Sequence, residues 1–207
     1  MTLELVYFAN PMCSWCYGFH DGLAAALGAR RHAASLTVAL GALREDTEPL
    51  RDDQKAYLRE AWTRVAEMSG RPFAFGLLAR DDLVYDTRPA SRAVAAVRAA
   101  APERTLAYLG AVQTAFYRDG RDVTRGDVLG EIAAEAGLEP GVVADALADP
   151  ETAEALAAEN AQVARLGVTG YPTVLALTKP KPQVVAVGFR PAEAVAAAID
   201  EALHAAA

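Results

Sequence analysis

Two cysteines, Cys13 and Cys16, are the residues of this chain whose type and spacing point most directly to chemistry. They flank Ser14 and Trp15, and the sequence of 207 residues contains no other cysteine. They follow an apolar run typical of a buried strand and precede a helical pattern, so the pair is expected at a helix start. Unpaired backbone N–H groups and the helix dipole favour a thiolate at that position. Because residues three apart are neighbours in a helical turn, a disulfide between them is expected to close easily.

This pattern predicts a redox-active disulfide in which Cys13 is the exposed nucleophile and Cys16 resolves the mixed disulfide. Ser14 and Trp15 are expected to tune the thiolate through backbone N–H groups and local polarity. Metal binding is the alternative from the residues alone, because Cys13, Cys16 and His20 could share one helix face. A closed zinc site needs four ligands, and the sequence has no second Cys-x-x-Cys and no histidine pair, so no metal is predicted.

Two further side chains near the pair, His20 and Tyr17, are weaker candidates. His20 follows Cys16 by one helical turn and would be a proton carrier or thiolate stabiliser, since histidine titrates near neutral pH. The favoured interpretation of His20 is nevertheless a solvent-facing helix residue. Tyr17 is a candidate for an apolar docking rim around the cysteines, in which Trp15 is the stronger member and Phe19 is more typical of a core residue.

The bulk composition excludes several classes of function. The net charge of −7 and the pI of about 5.0 make a nucleic-acid partner improbable on electrostatic grounds. An apolar fraction of 53% is typical of a packed core rather than a disordered chain. No apolar run approaches the roughly 18 residues of a membrane span, and no signal peptide is recognised, so no membrane partner and a cytoplasmic location are predicted. The composition predicts no oligomeric state.

The periodicity of apolar residues predicts the elements that must position the cysteines. Strands at residues 3–9 and 36–40 enclose a helix over residues 13–31, which makes a parallel βαβ unit. Near the other end, residues 173–177 and 184–187 flank a proline-containing turn and predict a hairpin, and Pro191 starts a last helix. The order β-α-β followed by β-β-α predicts an α/β fold built on one sheet.

The stretch between these two ends, residues 44–167, reads as about six helices with no convincing strand. Residues 1–43 and 168–207 are therefore predicted to form one domain, into which residues 44–167 insert a helical domain that lies over the active site. The helix starts in this stretch carry capping or proline signals, and they are predicted at Asp52, Thr87, Pro102, Thr124, Pro140 and Pro150.

Two segments of this sequence resemble a known family: residues 10–19, which read NPMCSWCYGF, and residues 167–173, which read GVTGYPT. With the order of elements, they resemble the thioredoxin fold in its DsbA-like branch, and the resemblance covers essentially the whole chain. It implies a thiol–disulfide oxidoreductase or protein-disulfide isomerase. It also implies that the Tyr171–Pro172 bond is cis and lies against the cysteines, and that Tyr171 and Gly170 bind an extended substrate segment. Asn10 departs from the pattern, because close relatives often carry an acid there, and this bears on the redox potential.

The resemblance implies partners rather than a cofactor. The two sulfurs carry the electrons, so no separate cofactor is expected, glutathione is a candidate co-substrate, and proteins with thiols or disulfides are the expected substrates. Kappa-class glutathione transferases and related isomerases resemble the same architecture and are the alternative, in which Cys13 or Ser14 would activate glutathione. A holdase chaperone is a further alternative. The sequence leaves open whether the protein oxidises, reduces or isomerises disulfides.

Overall fold

A computed structural model describes residues 2–139 and 141–206 of the chain. Within these residues it contains four strands and eight α-helices. In chain order they are β1 (Leu3–Ala9), α1 (Ser14–Gly28), β2 (Ala34–Leu40), α2 (Asp52–Ser69), α3 (Arg88–Ala100), α4 (Thr105–Tyr117), α5 (Gly126–Glu135), α6 (Val142–Ala148), α7 (Pro150–Arg165), β3 (Thr173–Ala176), β4 (Gln183–Val187) and α8 (Ala192–Ala205). None of the helices described is both long and apolar enough to cross a membrane.

The four strands form one sheet in the order β2-β1-β3-β4. β1 pairs in parallel with β2, from Leu3 opposite Ala34 to Ala9 opposite Leu40, and it pairs antiparallel with β3. Helices α1 and α8 contact each other, and α8 also contacts β4. The predicted α/β class and thioredoxin-like order of elements are confirmed. The apolar run of β1 is explained by its place between two other strands, where most of its residues are buried.

The predicted hairpin is confirmed by the antiparallel pair of β3 and β4. Its prolines lie outside both strands, where a missing N–H removes no ladder hydrogen bond. The Lys179–Pro180 bond in this turn is cis. At the other end of the sheet, β2 begins two residues before the predicted start, at Ala34.

The stretch between β2 and β3, here named the helical segment, contains α2 to α7 and two short 3-10 turns. The helix predicted from Pro102 is wrong at its start, because residues 102–104 form a 3-10 turn before α4 begins at Thr105. The cap predicted at Thr124 is also wrong: α5 begins at Gly126, and the Thr124 hydroxyl donates instead to Asp122 at 2.6 Å. The helix start predicted at Pro140 lies outside the described residues.

The helical segment packs directly against α1 through aromatic side chains. Tyr17 of α1 stacks on Tyr117 of α4 with ring centroids 5.1 Å apart, and Trp62 of α2 meets Tyr117 edge to face at 5.0 Å. Such aromatic pairs stabilise a fold beyond the area that they bury. The cysteine helix is therefore held by the sheet and by the helical segment together, and the division into two domains stays a prediction.

Candidate active site

Cys13 and Cys16 lie at the start of α1, where the structure describes both as free thiols. Cys13 is the N-cap residue and has an extended backbone, and Cys16 lies in the first turn. Cys16 is completely buried and Cys13 is only 7% exposed. The exposure predicted for Cys13 is therefore wrong, because the loop that carries Tyr171 covers it: the Cys13 thiol donates to the Tyr171 carbonyl at 3.6 Å.

The surroundings shift the pKa values of the two thiols in opposite directions. The pKa of Cys13 is lowered, chiefly because the Cys16 thiol donates a hydrogen bond to its sulfur, with further help from the backbone N–H groups of Cys16 and Trp15. The pKa of Cys16 is raised well above its ordinary value, chiefly by burial and then by its pairing with Cys13. Cys13 is therefore the thiol that ionises first, and Cys16 is the proton-bearing partner.

The loop before β3 forms the second side of the site. The Tyr171–Pro172 peptide bond is cis. Two hydrogen bonds hold the loop against the sheet: the Thr173 hydroxyl donates to the Gly170 carbonyl at 2.9 Å, and the Gly188 N–H donates to the Pro172 carbonyl at 2.8 Å. Pro172 is buried and Gly170 is exposed. The fold thus brings two loops together that are about 158 residues apart in sequence.

The turn that precedes the cysteines is fixed by two tyrosines of the helical segment. The hydroxyls of Tyr85 and Tyr117 both donate to the Met12 carbonyl, at 2.9 and 2.6 Å, and they lie 3.2 Å from each other. Sequence reasoning missed both tyrosines. No periodicity or motif links them to Met12, because the separations in sequence are 73 and 105 residues.

Of the side chains around the motif, Trp15 lies at the edge of the site, whereas Tyr17 is buried under the helical segment. Trp15 is half-buried and packs on Phe189, with ring centroids 6.3 Å apart. Tyr17 is fully buried, its hydroxyl donates to the Pro72 carbonyl at 3.0 Å, and the Arg71 guanidinium lies 3.9 Å from its ring centroid. The prediction that Tyr17 belongs to a docking rim is therefore wrong, because the helical segment covers that face of α1.

The favoured interpretation of His20 as a solvent-facing residue is also wrong. His20 is only 9% exposed, and its ring lies against α4 at Gly110. Burial lowers the pKa of His20 to about 4. A ring that is neutral near pH 7 supplies no positive charge to a thiolate, so the candidate role of His20 as a thiolate stabiliser receives no support.

The buried His20 predicts that the protein loses stability in mild acid. Above about pH 6.5 the ring is neutral in both the folded and the unfolded chain, and it has no effect on stability. Between about pH 6.5 and pH 4, His20 is protonated in the unfolded chain and stays neutral in the folded chain. The free energy of unfolding therefore falls as the pH falls, by roughly 3 kcal/mol in total.

Urea unfolding of the wild-type protein and of His20→Gln at about pH 7.5 and pH 4.5 measures this loss. The wild type is expected to lose about 2–3 kcal/mol more than His20→Gln on acidification. His32→Gln is the matched control, because His32 is exposed, and it should behave as the wild type does. Equal acid sensitivity in the wild type and His20→Gln would contradict this assignment.

Within residues 2–139 and 141–206, no group of three or more His, Cys, Asp or Glu side chains is arranged to hold a metal ion. The site as described consists of two thiols, the carbonyl of Tyr171 and the backbone N–H groups at the start of α1. These groups can ionise a thiol and hold it beside a second one, which is the arrangement that disulfide exchange requires.

Comparisons with known proteins agree with this geometry. A family model described as a DSBA-like thioredoxin domain matches residues 4–200, whereas comparison with curated proteins gives no match. Among solved structures, the chain is similar to a candidate protein disulfide isomerase from Nitrosomonas europaea, with 27% identity and a TM-score of 0.88 over 99% of this chain and 98% of that chain. It is also similar to the cytosolic disulfide reductase DsbM from Pseudomonas aeruginosa, with 31% identity and a TM-score of 0.75 over 88% of each chain. A structure of DsbM with GSH matches at 30% identity and a TM-score of 0.73, over 88% of this chain and 89% of that chain.

Proposed function

The chain belongs to the DSBA-like thioredoxin domain family, and from this premise we propose that it is a thiol–disulfide oxidoreductase that works through Cys13 and Cys16. The observation that carries the proposal is the geometry of the site: the two cysteines lie together at the start of α1, and the Cys13 thiol donates to the carbonyl of Tyr171, which precedes the cis Tyr171–Pro172 bond. The pKa of Cys13 is lowered by the hydrogen bond from Cys16, and burial raises the pKa of Cys16. Cys13 is thereby the nucleophile and Cys16 the resolving cysteine.

The exchange runs in two steps when the protein acts as a reductant. The Cys13 thiolate attacks one sulfur of a substrate disulfide, a mixed disulfide forms, and the other substrate sulfur leaves as a thiolate. Cys16 then gives up its proton and attacks the Cys13 sulfur, which forms the Cys13–Cys16 disulfide and releases the second substrate thiolate. The substrate gains the two electrons that the cysteine pair loses, and the reverse sequence oxidises a substrate dithiol.

The substrate surface in this proposal lies beside the Cys13 sulfur. Gly170, Tyr171 and Pro172 border it, and the Tyr171 carbonyl that receives the Cys13 thiol marks where an extended substrate backbone would lie. Trp15 adds a half-buried aromatic face, and its backbone N–H helps to lower the pKa of Cys13. Ser14, which is also half-buried, is the second residue proposed to tune the thiolate.

We further propose that the protein reduces disulfides in the cytoplasm with glutathione as electron donor. The support is the likeness to DsbM, which is described as a cytosolic disulfide reductase and has a structure with GSH. Two glutathione molecules would reduce the Cys13–Cys16 disulfide to the dithiol and leave as glutathione disulfide, so that neither a metal nor an organic cofactor takes part. Reduction of insulin by glutathione should be accelerated by the protein, and failure to do so would contradict this direction.

A variant that cannot resolve the mixed disulfide tests whether Cys13 is the nucleophile and Cys16 the resolving cysteine. Cys16→Ser, treated with glutathione disulfide, should accumulate one glutathionyl group on Cys13, because the serine hydroxyl cannot displace it. The wild type should instead pass to its internal disulfide and carry no adduct. Intact-mass measurement reads both outcomes. An adduct-free Cys16→Ser, or a Cys13→Ser variant that accumulates the adduct on Cys16 as readily as Cys16→Ser does on Cys13, would contradict the assignment.

The same position separates disulfide exchange from the alternative of a kappa-class transferase or isomerase. That chemistry needs no second thiol, so Cys16→Ala would conjugate glutathione to a small electrophile as fast as the wild type does. Disulfide reduction, in contrast, should slow in Cys16→Ala, because only an external thiol can then resolve the mixed disulfide on Cys13. Refolding of a scrambled disulfide protein, run beside insulin reduction, separates an isomerase from a reductase.

A further inference from the structure

Asn10, three residues before Cys13, uses every polar group of its side chain within the site. It is only 1% exposed. Its side-chain oxygen accepts the Met12 N–H at 2.9 Å, and its side-chain N–H₂ group donates to the Gly41 carbonyl at 2.9 Å and to the Thr87 hydroxyl at 3.4 Å. An amide is the side-chain group that accepts on one atom and donates from the other, and a carboxylate only accepts.

The backbone of Asn10 meets both cysteines. Its carbonyl accepts the Cys13 N–H at 3.1 Å, which fixes the turn that delivers Cys13 to the helix start. Its own N–H faces the sulfur of Cys16 and lowers the pKa of that thiol against the stronger effect of burial. One residue therefore contacts both cysteines through its backbone.

The side chain of Asn10 connects the cysteine turn to parts of the fold that are distant in sequence. Gly41, which it binds, lies directly beneath Tyr171, because a Cβ added at Gly41 would fall 1.8 Å from the Tyr171 hydroxyl. Thr87, which it also binds, donates to the Arg44 carbonyl at 2.8 Å. The end of β2, the helical segment and the loop of Tyr171 thus converge on Asn10.

We propose that Asn10 is a positioning residue that holds the two thiols in place beside the Tyr171 loop, and that its lack of charge preserves the reactivity of Cys13. The inference rests on the proposed function only in that Cys13 is taken as the reactive thiol. It concerns the state of the thiols themselves, which can be measured without any disulfide substrate.

The surroundings of the thiols explain why the charge of this residue matters. The titratable groups that interact with the two cysteines are tyrosines from three parts of the fold, and each tyrosine has a raised pKa and stays neutral. They are Tyr7 of β1, Tyr85 and Tyr117 of the helical segment, and Tyr171. Arg44 and Asp46 face Tyr85 and pair with each other. A buried carboxylate at position 10 would add a negative charge beside the thiols and disfavour the Cys13 thiolate.

The rate of alkylation of the reduced protein by iodoacetamide, measured between about pH 5 and pH 9, tests the proposal on the full chain. Asn10→Asp should shift the rate profile to higher pH by about one unit, so that the rate falls about tenfold on the rising part of the profile, because one unit of pKa changes the thiolate fraction tenfold at pH values below the pKa. Asn10→Ala should shift the profile in the same direction by a smaller amount, about threefold in rate, because the turn loosens without a new charge. Asn160→Asp, the same change of side chain on α7, is the matched control and should leave the profile unmoved.

Thermal unfolding of the same variants separates positioning from a merely structural role. If Asn10→Asp and Asn10→Ala lower the melting temperature and neither moves the alkylation profile, the proposal is overturned. If Asn10→Asp does not fold, Asn10→Ala decides by itself, and an unchanged profile overturns the proposal. A protein that failed to reduce insulin would leave this test intact, since alkylation reports on Cys13 directly.

Discussion

Replacing Cys13 with serine is expected to abolish disulfide exchange, by about a thousandfold or more in the rate of insulin reduction, while the fold is retained. A hydroxyl is not ionised at neutral pH and forms no bond equivalent to the mixed disulfide. The fold is retained because Cys13 is the N-cap of α1 and its side chain makes no capping hydrogen bond. Serine is a favoured N-cap residue, so Cys13→Ser should unfold at the wild-type temperature or slightly above it.

The control for this prediction is Cys16→Ser, which removes a thiol of the same site and leaves the nucleophile in place. It should still attack a disulfide once, with a rate near that of the wild type in the first step, and then stop at the mixed disulfide. Cys13→Ser should form no mixed disulfide. Insulin reduction by Cys13→Ser at the wild-type rate would remove the basis of the proposed function.

The fold was largely predictable because local patterns carry it. The apolar run of β1, the helical spacing after the cysteines and the prolines between β3 and β4 each depend on neighbouring residues, and the structure confirms all three elements. One error lies where a nearby side chain competes for a hydrogen bond. Thr124 is a residue type that often caps helices, but its hydroxyl donates to Asp122 instead. No pattern in the sequence predicts that hydrogen bond.

Only the part of the candidate site that lies in one short stretch of sequence was predictable from the residues themselves. Cys13 and Cys16 stand in one short motif, and the Tyr171 loop was found through its resemblance to a family. The contacts from Thr87, Tyr85 and Tyr117 join residues that are more than 70 positions apart, and they depend on how the helical segment lies against α1. That packing is a property of the assembled fold, so sequence periodicity contains no sign of it.

His20 shows the same limit in a single residue. Its helical position correctly places it one turn beyond Cys16, but whether that face of α1 is exposed depends on what covers it. Helix α4 does so with a glycine at the point of contact, Gly110. A glycine in a helix interior has a cost in stability of about 1 kcal/mol relative to alanine, so its presence in α4 indicates that a larger side chain would not fit there.

Gly110→Ala should therefore destabilise the protein, although alanine is the better helix former. The added Cβ would lie 2.2 Å from Nε2 and 2.5 Å from Cε1 of His20, well inside contact distance. Overpacking of this kind has a cost of about 1–3 kcal/mol, which exceeds the gain in helix propensity, and we expect a net loss of about 1–2 kcal/mol in the free energy of unfolding. Urea unfolding at neutral pH measures it. Gly130→Ala on α5 is the matched control: its added Cβ meets nothing within 4 Å, so it should stabilise the protein by about 0.5–1 kcal/mol.

A double-mutant cycle with His20→Ala isolates the contact. Truncating the ring creates the space that a methyl group at position 110 needs, so the cost of Gly110→Ala should largely disappear in the double variant, with a coupling of about 1–2 kcal/mol. The loss of stability in acid should depend on the His20 ring. It should persist in Gly110→Ala and be absent from both variants that lack His20. Additive effects would place the ring away from Gly110 and return His20 to the solvent-facing position that the sequence favours. Strong coupling would establish that the glycine in α4 accommodates the buried, neutral histidine of α1.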